Sequence, residues 1–183
     1  MWGAATFDII HRFSNDRSSI VSTFCATEFD FEEVNWVFES WNAINRRAGL
    51  HWHILVPTIK AISGGAERVT DAEYDFSLSQ EIIDIYGISD DKLPALIFDN
   101  FVEEERQAYL TIPGDPRDAR AMFLRVAQLI RYECGGHDGV GLGQQRVDTI
   151  NRIVTRIRGE AALKQMLAFA PKAAGPLIKM GFA

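Results

Sequence analysis

The span from residue 19 to residue 58 limits the fold more than any other part of the chain. It opens with "SIVSTFCA", a short apolar run that reads as a strand over 19–26. From Glu32 onward Val34, Val37, Phe38, Trp41 and Ile44 recur at three- and four-residue steps, the pattern of a helix buried along one stripe. Arg46 and Arg47 occupy its last turn, where positive charge meets the negative end of the helix dipole, and Gly49 can end it. "LHWHILVPT" then supplies another strand over 50–58. A strand, a helix and a strand in succession imply parallel pairing through a right-handed crossover.

The remaining segments extend that sheet. "TFDIIHRF" reads as a preceding strand at 6–13, and residues 60–76 form a polar loop long enough to be mobile or functional. "SLSQEIIDIYG" is a short helix with a Ser77 or Ser79 cap and Glu81 in its first turn. "ALIFDN" and "QAYLTIPG" are strands joined as an antiparallel hairpin across "FVEEER". "DPRDARAMFLRVAQLIRYE" is the longest helix, opened by Asp115 as cap and Pro116 in the first turn. Its stripe is Ala119, Met122, Phe123, Val126, Leu129 and Ile130. The order β-β-α-β-α-β-β-α belongs to an α/β chain with a mixed sheet and helices on its faces.

A single proline, Pro94, stands at the threshold of the apolar run Ala95-Leu96-Ile97-Phe98. A proline at the first position of a strand gives up no ladder donor that the sheet needs. The phrase Tyr86-Gly87-Ile88, a short acidic turn, Leu93-Pro94 and the strand through Asp99-Asn100 resembles the thioredoxin-like family, and the likeness covers residues 19 to 131. The resemblance implies a cis peptide at Leu93–Pro94, a geometry open to X-Pro bonds. It implies a thioredoxin-like mixed sheet with flanking helices, here with a C-terminal helical extension. The expected division is a domain over 1–134 and a linker with basic amphipathic helices over 135–183.

One departure from the family bears on function. Its redox members carry Cys-x-x-Cys at the start of the first crossover helix, where the helix N-terminus stabilises a thiolate. Laid onto this chain, those positions fall in Phe29, Asp30, Phe31 and Glu32, which contain no sulfur. Redox catalysis of the family's type is therefore not expected. Cys25 lies earlier, inside the strand, where a cysteine is more often buried and inert.

Other chemistry is thinly supported. His51 and His53 share one face of a strand, a spacing seen in metal sites, without a third ligand nearby in sequence. Cys134 and His137 form a C-x-x-H pair without a second pair. "GGHDGVGLGQQR" is glycine-rich but lacks the Gly-Lys-Ser/Thr ending of a phosphate loop, and reads as a flexible linker. Carboxylate pairs such as Asp71/Glu73 and Asp90/Asp91 fall in loops and read as solvated. No cofactor is expected.

The charge is unevenly spread. From Gln144 onward seven basic residues face two acidic ones, a balance of +5 that leaves −11 for the preceding residues of a chain whose net charge is −6. In "QQRVDTINRIVTRIRG" Val147, Ile150, Val154 and Ile157 fall in register with Ile153 beside them, and Arg152 and Arg156 lie one turn apart on another side. A second short helix, "EAALKQMLAFA", and an apolar coil, "GPLIKMGFA", follow. So apolar a tail needs a cover, from its own domain, a partner or a second copy. The acidic body and the lack of interleaved aromatics argue against nucleic acid, and a membrane surface is a minor reading. The N-terminus lacks the pattern of a secretion signal and the two cysteines form no scaffold, so a reducing cytoplasm is the expectation.

The function these residues favour is a redox-inert thioredoxin-like module for protein–protein interaction, as an assembly or regulatory subunit. The resemblance places its peptide groove beside Leu93 and Pro94, with Phe29, Asp30, Phe31 and Glu32 lining it. Arg152 and Arg156 mark a second contact surface for a protein partner or self-association through the C-terminal helices. The alternative is an enzyme with a non-standard site, either Cys25 as a lone thiol or His51 and His53 on a metal. A small-ligand sensor using the loop 60–76 is a third reading.

Overall fold

Every residue of the strand Ile20–Cys25 is buried, so it needs neighbours on both edges and helices on both faces. The sheet supplies them. Its strands are β1 (Trp2–Ala4), β2 (Ile20–Cys25), β3 (Trp52–Pro57), β4 (Ala95–Asp99) and β5 (Ala108–Thr111), in the spatial order β1-β3-β2-β4-β5. Strand β3 runs parallel to both β1 and β2, whereas β4 is antiparallel to β2 and to β5. This is the thioredoxin-like mixed sheet. The computed structural model describes residues 2–4, 12–59, 73–102, 107–135 and 139–173, with backbone alone for 2–4, Phe31, Trp41 and 165–173.

Period-two alternation sorts side chains onto two faces. Ile20 and Phe24 of β2, Trp52, Ile54 and Val56 of β3, and Leu96 and Phe98 of β4 enter the larger core. Helices α1 (Phe31–Glu39), α2 (Trp41–Ala48) and α4 (Pro116–Cys134) cover that face with Val34, Phe38, Ile44, Phe123 and Val126. Cys25 and Ile97 face the other way, against Ile82 and Ile83 of α3 (Phe76–Tyr86) and against Ile88. Each large apolar side chain fully removed from water contributes about 1.5–3 kcal/mol. The buried Trp52 indole donates to the Ser22 hydroxyl at 2.9 Å, so its polar edge stays satisfied.

Several sequence expectations shift by local chemistry. The long helix expected after Glu32 is two helices, α1 and α2, joined at Ser40, whose ψ of 0° turns the axis while its N–H still reaches Trp36 O. Helix α3 is capped by Asp75, whose carboxylate accepts from Leu78 N at 3.0 Å, and not by either serine. Ser79 is buried instead, its hydroxyl donating to Ala26 O and accepting from Ala26 N and Tyr74 Oη. Of the strand expected at 6–13, residues 6–11 lie outside the described residues and 12–13 are turn; the N-terminal strand is Trp2–Ala4. Of the loop 60–76 only residues 73–76 fall within the described residues.

The C-terminal segment forms one helix, α5 (Gln144–Ala173), where two were expected, because Gly159 is carried through without a break. Its apolar stripe docks on the chain's own fold, along α4 and β5. Ile150, Ile153, Val154 and Ile157 join the larger core. Arg158 donates to Tyr109 O at 2.7 Å and lies over the Tyr109 ring at 4.9 Å, which covers the outer edge of β5. The preceding loop is docked as well. Val140 is buried and its N–H donates to Arg17 O, an approach that only Gly139 beside it permits, since a Cβ there would sit 2.3 Å from that oxygen. Among the described residues no helix is long and apolar enough to cross a membrane.

Candidate functional site

The end of the sheet where β2 finishes and β4 begins gathers most of the sequence-derived candidates. Antiparallel pairing of Cys25 with Ala95 brings the residues after β2 and those before β4 to the same edge of the molecule. Helix α3 leads there through a left-handed Gly87 (φ 62°, ψ 37°), whose following Ile88 donates to Ile83 O and packs under the turn. Tyr86 donates its hydroxyl to Asp99 Oδ1 at 2.8 Å, tying this helix end to β4. The Leu93–Pro94 peptide is cis, as the family phrase implies. Pro94 is buried and its carbonyl accepts from Ile112 N at 2.7 Å, while Leu93 stays half-buried.

The turn from β2 into α1 is built by Asp30. Its Oδ2 accepts from both Thr27 N and Thr27 Oγ1 at 2.8 Å, and its own N–H returns to Thr27 O. This carboxylate braces the loop, and so is less available to a ligand than its position suggests. Phe29, at the apex, is 98 % exposed. Phe31 opens α1, its side chain lying outside the described residues, and Glu32 is exposed in the first turn. Glu32 also lines a groove of about 280 Å³ with Glu33, Glu39, Trp36 and Ile112, an acidic cleft that the sequence did not reveal.

Both thiols are buried. Cys25 is fully buried in β2; burial drives its thiol far above the ordinary value, with the Ser79 hydrogen bond opposing and Asp99 adding to the rise. Burial, then Glu133 and Asp16, push the Cys134 thiol up to about 12 against the opposing pull of Arg146. Its C-x-x-H partner, His137, lies outside the described residues.

The histidines serve the loop before β2. His51 pairs through Nδ1 with Ser18 O at 2.9 Å, and His53 Nε2 lies 3.7 Å from Asp16 Oδ2 with its ring against Phe13. Burial lowers the His53 pKa, opposed by Asp16. Among the described residues no group of three or more His, Cys, Asp or Glu is placed to hold a metal ion.

Arg152 and Arg156 stand elsewhere, on the solvent side of α5. Arg152 pairs with Glu133 at 3.0 Å and bonds Thr149, and Arg156 pairs with Glu160 at 3.3 Å. Arg146 is one of the seven basic residues from Gln144 onward. It is buried at 1 % exposure, donates to the Ser14 and Asp16 carbonyls and lies over the Phe101 ring. Nothing in a linear pattern marks such a residue, because its partners sit about 130 positions away.

No protein-family model, no curated protein and no solved structure matches the chain.

Proposed function

We propose that the chain is a redox-inert member of the thioredoxin-like family that works by protein–protein contact, as an assembly or regulatory subunit. The partner segment docks at the sheet end formed by Phe29, Glu32, Leu93 and Pro94. The observation that carries the reading is Phe29: an aromatic side chain 98 % exposed at the apex of the turn where redox relatives place their thiols. An exposed aromatic on a braced turn is an efficient anchor, because burying it in a partner's pocket costs little conformational entropy. The burial of both cysteines, which raises the pKa of each thiol, supports the same reading. The surface of α5 around Arg152 and Arg156 is the secondary contact in this proposal, weakened by the ion pairs those guanidinium groups already make.

The test places a photo-crosslinking residue at position 29 and, as control, at position 132, where Tyr132 is 77 % exposed on α4. A discrete protein adduct at 29, lost with the accompanying Leu93→Asp variant, is expected; equal adducts at both positions would sink the proposal. In parallel, the native protein is expected to react with a thiol reagent only after unfolding. A cysteine that reacts at free-thiol rates would favour the lone-thiol enzyme instead.

A further inference from the structure

A second groove, of about 490 Å³, opens between α1, α2 and α4. Its apolar part is made by Trp36, Ile44, Phe123 and Leu124, with Trp36 tilted against Phe123 at a centroid distance of 6.0 Å. Four arginines surround it, Arg46 and Arg47 from the end of α2 and Arg120 and Arg131 from α4. Arg120 and Arg131 share one face of α4, because eleven residues make just over three full turns and span about 16 Å of axis.

The charge here is uncompensated. Among the described residues no acidic one lines the groove, in a chain whose net charge is −6. The ion pairs among the described residues use Arg125, Arg152, Arg156, Lys92, Lys164 and His53, none of them at this site. Arg46 donates to Asn42 O at 3.3 Å and Arg131 to Arg47 O at 2.8 Å. The Arg47 carbonyl lies in the last turn of α2, where the helix dipole favours positive charge. The two carbonyl contacts occupy one N–H of each fork and bring no formal negative charge. Arg120, from the opposite end of the groove, has no such helix end to serve.

We infer that this groove binds an organic polyphosphate, two or more linked phosphates carried on a planar ring, the chemistry of a nucleoside di- or triphosphate. The guanidinium fork matches phosphate oxygens bidentately. Four such groups match the three to four negative charges of a linked di- or triphosphate. The volume lies within the range of roughly 300–1,000 Å³ that encloses small ligands. Trp36, half-buried and held by its contact with the buried Phe123 ring, offers the aromatic surface on which a planar ring rests. This site goes beyond the proposed partner contact and uses none of its residues.

The test is calorimetric titration of the full chain at low salt with ATP, ADP, inorganic tripolyphosphate and adenosine. Saturable binding of ATP and ADP is expected, with tripolyphosphate weaker by about tenfold and adenosine silent. Arg120→Gln and Arg47→Gln are each expected to weaken ATP by at least tenfold while leaving the thermal midpoint of the free protein in place. Arg117→Gln, on α4 outside the groove, is the control and leaves affinity unchanged. Absence of nucleotide binding, or binding indifferent to both groove variants, overturns the inference. Tripolyphosphate binding as tight as that of ATP overturns the role given to the aromatic surface.

Discussion

Asp16 and His53 show how single residues at the far end of the sheet make stability depend on pH. Burial opposes the Asp16 carboxylate, but hydrogen bonds from Ser19 and Ser18 and the nearby His53 outweigh it, so its pKa falls below 3.8. Burial holds the His53 imidazole below 6.5, with Asp16 resisting. As pH falls through 6.5 the unfolded chain takes up the His53 proton before the folded one does, so stability declines on acidification. The Asp16 contribution has the same sign lower down: it is present above 3.8 and lost as pH drops through the folded value. His53→Gln is therefore expected to flatten the fall of the urea midpoint between about pH 7 and pH 5 while leaving the loss below about pH 4. An unchanged slope in that variant would show that His53 titrates as it does in the unfolded chain.

Elements were legible from sequence to different degrees, and the differences have local causes. Helix α4 was readable at both ends, because Asp115 accepts from Arg117 N and Asp118 N and Pro116 takes the first turn. Helix α3 was readable in place but not in its cap: three residues, Asp75, Ser77 and Ser79, can each accept from a first-turn amide. Asp75 wins because Ser79 is drawn inward to satisfy Ala26 and Tyr74. Asp75→Ala is expected to cost about 1 kcal/mol in chemical denaturation, and Ser77→Ala to stay within about 0.5 kcal/mol. Equal costs would return the cap to the serine. The Ser40 junction was hidden because the apolar steps Val37, Phe38 and Ile44 continue across it without a change of period.

At the scale of the whole molecule, α5 is a structural part of the sheet's cover. Its buried Val147, Ile150, Ile153, Val154 and Ile157 lie against the fold, Arg125 holds Glu160 through two hydrogen bonds, and Arg158 closes the β5 edge. A chain ending at Glu133 would expose this apolar surface together with the edge strand. It is expected to self-associate in size-exclusion chromatography and to lose the cooperative melt of the full chain. A monomeric truncation with an unshifted midpoint would mean that α5 adds no stability. The same docking consumes the apolar stripe that the tail's sequence offered and leaves Phe29 exposed after β2.

Sequence alone determined the α/β class, the parallel crossover and the hairpin, because each rests on periods and turns written in residues a few positions apart, while the cis bond at Pro94 came from the family resemblance. Period, capping and turn chemistry act over one or two turns of chain, and those are the distances a linear reading spans. The tertiary structure decided which charges end up together: Arg131 beside Arg47, Arg146 under Asp16, and Arg158 on Tyr109, pairs separated by 84, 130 and 49 positions. Their meeting depends on the strand order and on where α4 and α5 come to rest. Both candidate binding surfaces, the Phe29 turn and the arginine groove, take their shape from that packing.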